Sequence, residues 1–175
     1  MATETLRPNA AGAECNVPNE NGLECPDHYL NVDEAVPDNG VTAVWNDGAD
    51  YLRDLYNVDP SGVGAGTINH ITVYVRCITS FVPTQESLKI CIRSNSTVTE
   101  DVEQTLSTSW ALYSKQWATN PADAGAWEWA DIDALQIGIS IRTPGSGDSL
   151  VDQIYVVVDY EPALAVGRSF GFIIG

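Results

Sequence analysis

One methionine, three phenylalanines and eight lysines and arginines together are all that 175 residues contain of those types. The shortage of Met, Lys and Arg removes residues from which long helices are usually built. It also excludes a phosphate-binding patch. The nearest approach to a basic cluster, Lys89-Ile90-Cys91-Ile92-Arg93, is one face of a strand. Against 24 acidic residues the formal charge is -16, so neither nucleic acid nor an anionic membrane is expected as a partner. No run approaches the ~20 apolar residues of a membrane span. The opening Met-Ala-Thr-Glu-Thr-Leu-Arg has no basic start, apolar stretch or cleavage site of a signal peptide. Synthesis in a cytoplasm is therefore expected, with an extracellular destination reached by lysis. The acidity itself reads as a solvated, self-repelling surface.

What is present is strand-forming. Apolar residues make up 44% of the chain, with Val, Ile, Trp and Tyr prominent, the types that suit a pleated, half-buried surface. Ile71, Val73, Val75 and Cys77 alternate with polar neighbours, as do Leu88, Ile90 and Ile92, and then Ile154, Val156 and Val158. Period two marks strands with one buried face. The first two runs are expected to pair as an antiparallel hairpin through a turn near Pro83. Weaker strands are expected over 3–7, 41–45, 51–58, 109–117 and 136–142. Residues 14–31 read as loop, and 129–135 as the single short helix. Short strands separated by Pro, Gly and Asn turns predict an all-β, antiparallel two-sheet sandwich over residues 1–161. Leu135, Ile137, Ile139 and Ile141 join the expected core.

Few residues suggest chemistry. His28 lies in a loop and His70 opens a strand; no Gly-x-Ser-x-Gly elbow accompanies them, so no enzyme is expected. Glu128 sits between Trp127 and Trp129. Those two indoles either lid the sandwich or stack on a glycan. Asp47 and Asp50 flank a Gly turn and offer hard oxygens to Ca²⁺, with Asp33, Glu34 and Asp38 expected nearby; an Asx turn explains the segment as well. Calcium is the one cofactor that the sequence admits. The four cysteines form no Cys-x-x-Cys pair, and the spacings 15, 25, 77 and 91 fit no zinc ribbon or finger. Cys15 and Cys25 are expected to form a disulfide, whereas Cys77 and Cys91 point to opposite faces and should stay apart. Asn95-Ser96-Thr97 fits a glycosylation sequon. The tail, 162–175, is apolar: Phe170, Phe172, Ile173 and Ile174 read as a strand that either returns to its own sandwich or augments the sheet of a neighbouring subunit in an assembly.

Ala2-Thr3-Glu4-Thr5-Leu6-Arg7-Pro8-Asn9-Ala10-Ala11-Gly12, Asn31-Val32-Asp33-Glu34 with Pro37-Asp38, and Leu106-Ser107-Thr108-Ser109-Trp110 follow one another in order. Trp117-Ala118-Thr119-Asn120-Pro121, the stretch from Trp127 to Gly138, and Tyr155-Val156-Val157-Val158-Asp159-Tyr160 complete the series. The set resembles a family of jelly-roll domains widespread in tailed bacteriophage, prophage and related environmental sequences. That resemblance implies a jelly roll and a non-enzymatic structural subunit of a virion: a capsid decoration, fibre or coat-type protein made in a host cytoplasm. Its implied partners are copies of itself and other proteins of the particle. The cysteine-bearing segment 15–25 and the tail depart from the family pattern. Two other roles are open: a carbohydrate-binding adhesin using exposed aromatics on a concave sheet, and a subunit of a cellular extracellular filament.

Overall fold

Alternating Val, Ile and Tyr side chains give each long strand one face that water disfavours, and two such faces are buried by meeting. The computed structural model describes residues 1–80, 86–145 and 147–164. In chain order these form β1 (Ala2–Leu6), β2 (Pro8–Cys15), β3 (Asn19–Asn21), a 3₁₀ turn (Asp27–Asn31), β4 (Ala43–Asn46) and β5 (Leu52–Val58). There follow β6 (Thr67–Thr79), β7 (Ser87–Ser94), β8 (Thr97–Glu100), β9 (Gln104–Thr105), β10 (Ala111–Trp117), the helix α1 (Trp129–Asp133), β11 (Gln136–Arg142) and β12 (Ser149–Glu161).

The first sheet has the order β10-β6-β12-β4-β3, with β1 also on β12. The second has the order β2-β5-β11-β7-β8, with β9 also on β7. All pairings are antiparallel. The result is a two-sheet jelly-roll sandwich with one short α-helix among the described residues.

The core follows the alternation. Ile71, Val73, Val75, Leu88, Ile90, Ile92, Ile154, Val156 and Val158 are fully buried, and so are Leu135, Ile137, Ile139 and Ile141. The expected hairpin does not form, because β6 belongs to the first sheet and β7 to the second. Alternation says which side of a strand is apolar, not which strand lies beside it. Here the two apolar faces meet across the core, with β6 paired to β12 and β7 to β11. Residues 14–31, expected as loop, supply the end of β2, β3 and the 3₁₀ turn. Cys77 lies in the core and Cys91 on the outward side of the second sheet. Both are buried free thiols, which burial holds well above the ordinary thiol range.

The β6–β12 ladder contains a bulge. Val151 lies opposite Cys77 and Gln153 opposite Arg76, leaving Asp152 as the extra residue. The bulge switches the inward phase from Val151 to Ile154, so both are buried. Asp152 itself is buried and its carboxylate meets the Arg76 guanidinium. Burial pushes its carboxyl up to about 6, against the opposing pull of Arg76.

Truncating Ile90 or Ile139 to Ala should cost about 2–5 kcal/mol by chemical denaturation, because each leaves a cavity in a closed core; a loss below about 1 kcal/mol would mean that the sheets collapse onto the gap. The bulge gives a pH signature. With a folded pKa of about 6 above the ordinary 3.8, the folded state holds the Asp152 proton more tightly. Its contribution to stability is full below the unfolded pKa and is lost as pH rises through about 6. The melting temperature should therefore fall between pH 4 and 7, and Asp152→Asn should reduce that fall. Asp33 and Glu34, raised by burial as well, leave a residual slope of the same sign. Calorimetry showing an identical fall in the variant would assign the slope elsewhere.

Candidate functional site

Two places gather side chains able to do more than fill space. The first is the outward face of the first sheet. Ser114 of β10 lies opposite Tyr74 of β6, and Tyr74 opposite Tyr155 of β12. The two tyrosine rings stack, with centroids 5.0 Å apart and planes 14° from parallel. Arg7, just past the end of β1, lays its guanidinium 5.3 Å from the centre of the Tyr155 ring, and it is steadied by donating to the Glu34 carbonyl at 2.8 Å. A parallel row holds Gln116, Thr72, Val157 and Thr5. On the other side Arg76 stacks over Trp110 at 4.5 Å. Both tyrosines are half-buried. Burial holds the Tyr155 phenol above its ordinary pKa, although Arg7 pulls the other way, so it is neutral at ordinary pH.

The outward face of the second sheet differs. Arg53 pairs with Glu14 and Glu100, Lys89 with Glu100, and Arg142 with Glu103. Both Lys89 and Arg142 lie over the Tyr51 ring, at 4.4 and 4.7 Å. That ring is already engaged by cations, and its hydroxyl donates to Glu103 at 2.6 Å. Ion pairs as exposed as these contribute little to stability, because water and salt screen them.

The second place is a cleft beside β2, lined by Cys15, Val17, Glu20, Glu24, Cys25 and His28. Cys15 and Cys25 are joined as a disulfide, with Cα atoms 6.1 Å apart. Beneath them His28 and Asp54 are buried together, with His28 Nδ1 2.7 Å from Asp54 Oδ2. The other oxygen of Asp54 accepts backbone N–H groups from Asn16 at 2.6 Å and Val17 at 2.9 Å. The Tyr56 hydroxyl donates to Oδ2 at 3.2 Å. Cys15 Sγ lies 3.4 Å from the same Nδ1, while His28 Nε2 faces Glu20 Oε2 at 3.8 Å. A catalytic relay needs the nucleophile and the orienting carboxylate on different ring nitrogens; here both lie at Nδ1.

The other candidates have structural surroundings. Trp127 is 4% exposed, with its indole N–H donating to the Trp117 carbonyl at 3.0 Å. It lids the sandwich, and its faces are closed to a glycan. Trp129 is half-buried, edge-on to Tyr160, and bonded through Nε1 to the Gly66 carbonyl. Glu128 is exposed at the start of α1, where its backbone N–H donates to Asp131 Oδ2. Asn46 holds the 46–50 turn: its Oδ1 accepts the Gly48 N–H at 2.8 Å, and its amide donates to the Asp50 carbonyl at 3.0 Å. Among the described residues, the group of three side-chain ligands within metal-binding reach is Cys15, His28 and Asp54, and includes neither Asp47 nor Asp50. Asp38 is occupied with the backbone of Gly40, Val41 and Thr42. His70 pairs opposite Asp159 in β6. Asn95 occupies the tight β7–β8 turn at positive φ, exposed, with its amide donating to Asp131. Phe170, Phe172, Ile173 and Ile174 lie outside the described residues.

Sequence reasoning missed the Tyr74–Tyr155 pair and the His28–Asp54 pair. Both depend on pairings between distant segments; Cys25-x-x-His28 was the one local signal of the second.

No protein-family model matches the sequence, and no curated protein does either. Solved structures of similar shape exist. The family 35 carbohydrate-binding module from Cellvibrio japonicus Abf62 is 10% identical, with a TM-score of 0.42 over 93% of this chain and 100% of that one. The CBM36-1 domain of a multidomain xylanase from the hindgut metagenome of Trinervitermes trinervoides is 10% identical, with a TM-score of 0.44 over 93% and 100%. The C-terminal CBM6 of LamC from Zobellia galactanivorans is 13% identical, with a TM-score of 0.42 over 90% and 100%. The likeness is one of overall shape and decides nothing about a ligand. Among the described residues, no helix is long and apolar enough to cross a membrane.

Proposed function

We propose that the chain is a non-catalytic glycan-binding module that holds a sugar chain against the outward face of its first sheet. The observation that carries this reading is the half-exposed, stacked Tyr74–Tyr155 pair at the centre of that face. Aromatic rings with a polar edge suit a ligand that is apolar on one side and hydroxylated on the other. Thr5, Thr72, Ser114 and Gln116 surround the pair with hydroxyl and amide groups, and Arg7 and Arg76 flank it with fixed donors. From Ser114 to Arg7 the row crosses four strands, about 14 Å at the usual inter-strand spacing. Neither row carries a carboxylate, so the face binds without a general acid or base. Tyr51, a half-exposed tyrosine on the second sheet, is excluded by the cations over its ring.

A module of this kind works where glycans are, outside the cell or on its surface. The virion role was implied by the family resemblance of segments between residues 2 and 160; the tail expected to join a neighbouring subunit lies outside the described residues, and no contact within them favours assembly over glycan binding.

The test is a glycan array on the purified chain, then calorimetric titration of the best ligand. Tyr74→Ala and Tyr155→Ala should each weaken binding about tenfold or more, as truncation of an aromatic anchor does, with Tyr51→Ala unchanged. An array without a ligand would refute glycan binding. Loss in Tyr51→Ala with both other variants intact would move the ligand to the second sheet.

A further inference from the structure

The cleft beside β2 brings a sulfur, a ring nitrogen and a carboxylate oxygen to one point. Cys15 Sγ, His28 Nδ1 and Asp54 Oδ2 all lie within 4.8 Å of one another. The nitrogen has one site, and it faces both other atoms, at 3.4 Å and 2.7 Å. A single proton there can serve only one acceptor; a cation in its place would engage all of them. Cys25 adds a second sulfur, its Cα 6.1 Å from that of Cys15, and it leads into the 3₁₀ turn that carries His28 three residues later.

We propose that, with Cys15 and Cys25 reduced, this cluster binds a zinc ion through Cys15 Sγ, Cys25 Sγ, His28 Nδ1 and Asp54 Oδ2. Two thiolates, an imidazole and one carboxylate are a soft donor set that suits zinc and not calcium. Tetrahedral zinc, with Zn–S about 2.3 Å and Zn–N about 2.0 Å, places sulfur and nitrogen ligands about 3.5 Å apart, and the Cys15–His28 separation already meets this. The surroundings orient the ligands as a metal site requires. Glu20 stands at 3.8 Å on the far nitrogen of His28, and the Asn16 and Val17 amides with the Tyr56 hydroxyl fix the Asp54 carboxylate. The ligands also account for a fully buried aspartate beside a buried histidine, an arrangement that is costly unless well compensated. The cleft is open on the Cys25 side, which is exposed, and so gives the ion a way in.

The conversion from disulfide to zinc site is a two-electron reduction. A thiolate of a dithiol reductant attacks Cys25 Sγ; the S–S bond breaks and Cys15 Sγ leaves with the bonding pair. The second thiol of the reductant then displaces Cys25 as a thiolate, and the reductant departs as a cyclic disulfide. Zinc takes the two thiolates in place of their protons. The same loop is thus pinned covalently in oxidising surroundings and by an ion in reducing ones.

The test uses the full chain, reduced with a trialkylphosphine, which breaks the disulfide with transfer of water oxygen to phosphorus, and freed of the phosphine without oxygen before metal is added. Cobalt(II) is the probe. One equivalent should produce the visible absorption of tetrahedral cobalt together with a thiolate-to-cobalt charge-transfer band, and zinc should displace it. Zinc should also raise the melting temperature of the reduced protein and leave that of the oxidised protein unchanged. Cys25→Ser, at an exposed position, should abolish the charge-transfer intensity of one sulfur and weaken binding at least tenfold; His28→Ala should abolish one-to-one binding. Cys77→Ser and Cys91→Ser should keep the full spectrum. The proposal is overturned if the reduced chain binds no cobalt stoichiometrically, if Cys25→Ser binds as the parent does, if the signal follows Cys77 or Cys91, or if the disulfide resists reduction in the folded protein.

Discussion

The ladder between the two thirteen-residue strands of the first sheet is interrupted twice, and the placing of both faces follows from the interruption at Asp152. In an uninterrupted strand, Val151 and Ile154 would point to opposite sides. The bulge lets both point inward, and from there Val156 and Val158 continue the core while Tyr155 and Val157 go out. A slip of one residue would reverse that assignment for the rest of the strand. It would bury Tyr155 and take it away from Tyr74. The aromatic pair is therefore a product of the irregularity, and Arg76, which neutralises the buried carboxylate of the bulge, also borders the pair.

The scarcity of basic residues is matched by how they are used. Arg53, Arg76, Lys89, Lys115 and Arg142 each engage a carboxylate, and Arg7 engages a backbone carbonyl and a tyrosine ring. Cations occupied in this way do not form a track for a phosphate backbone, and the acidic excess around them repels one. The same excess makes the face around Tyr74 and Tyr155 distinctive, because its two rows carry arginine beside them and no acid within them.

The inward face of each long strand was legible because apolar residues recur at every second position in 71–77, 88–92 and 154–158. The partner of each strand was not, since the same alternation fits β6 beside β7 as well as β6 across from it. β2 was illegible for a different reason. Ala10, Ala11, Gly12 and Ala13 carry too little side chain to show a pattern, yet Gly12 sits where a Cβ would meet the Leu55 carbonyl at 2.4 Å. Only glycine lets β2 approach β5 so closely. The Cys15–Cys25 loop could be read from the spacing of the cysteines. Asp54 could not be attached to it, because an aspartate in a strand otherwise reads as an outward residue, and only the fold of β2 over β5 encloses it. Trp127 and Trp129 were legible as aromatic and ambiguous as to role; the hydrogen bond to the Trp117 carbonyl decides the first of them.

β10 ends the first sheet with Ala111, Tyr113, Lys115 and Trp117 turned to the inner side and Leu112, Ser114 and Gln116 to the outer. Lys115 is a cation on the side where a strand of this sandwich would ordinarily carry a hydrocarbon, and it is held there by Asp101 at 2.8 Å and lies near the Trp117 ring. A foreign strand docking along this border would have to place its own apolar residues against that ammonium group. The border thus discourages runaway sheet growth from molecule to molecule, although Leu112 beside it is exposed to water.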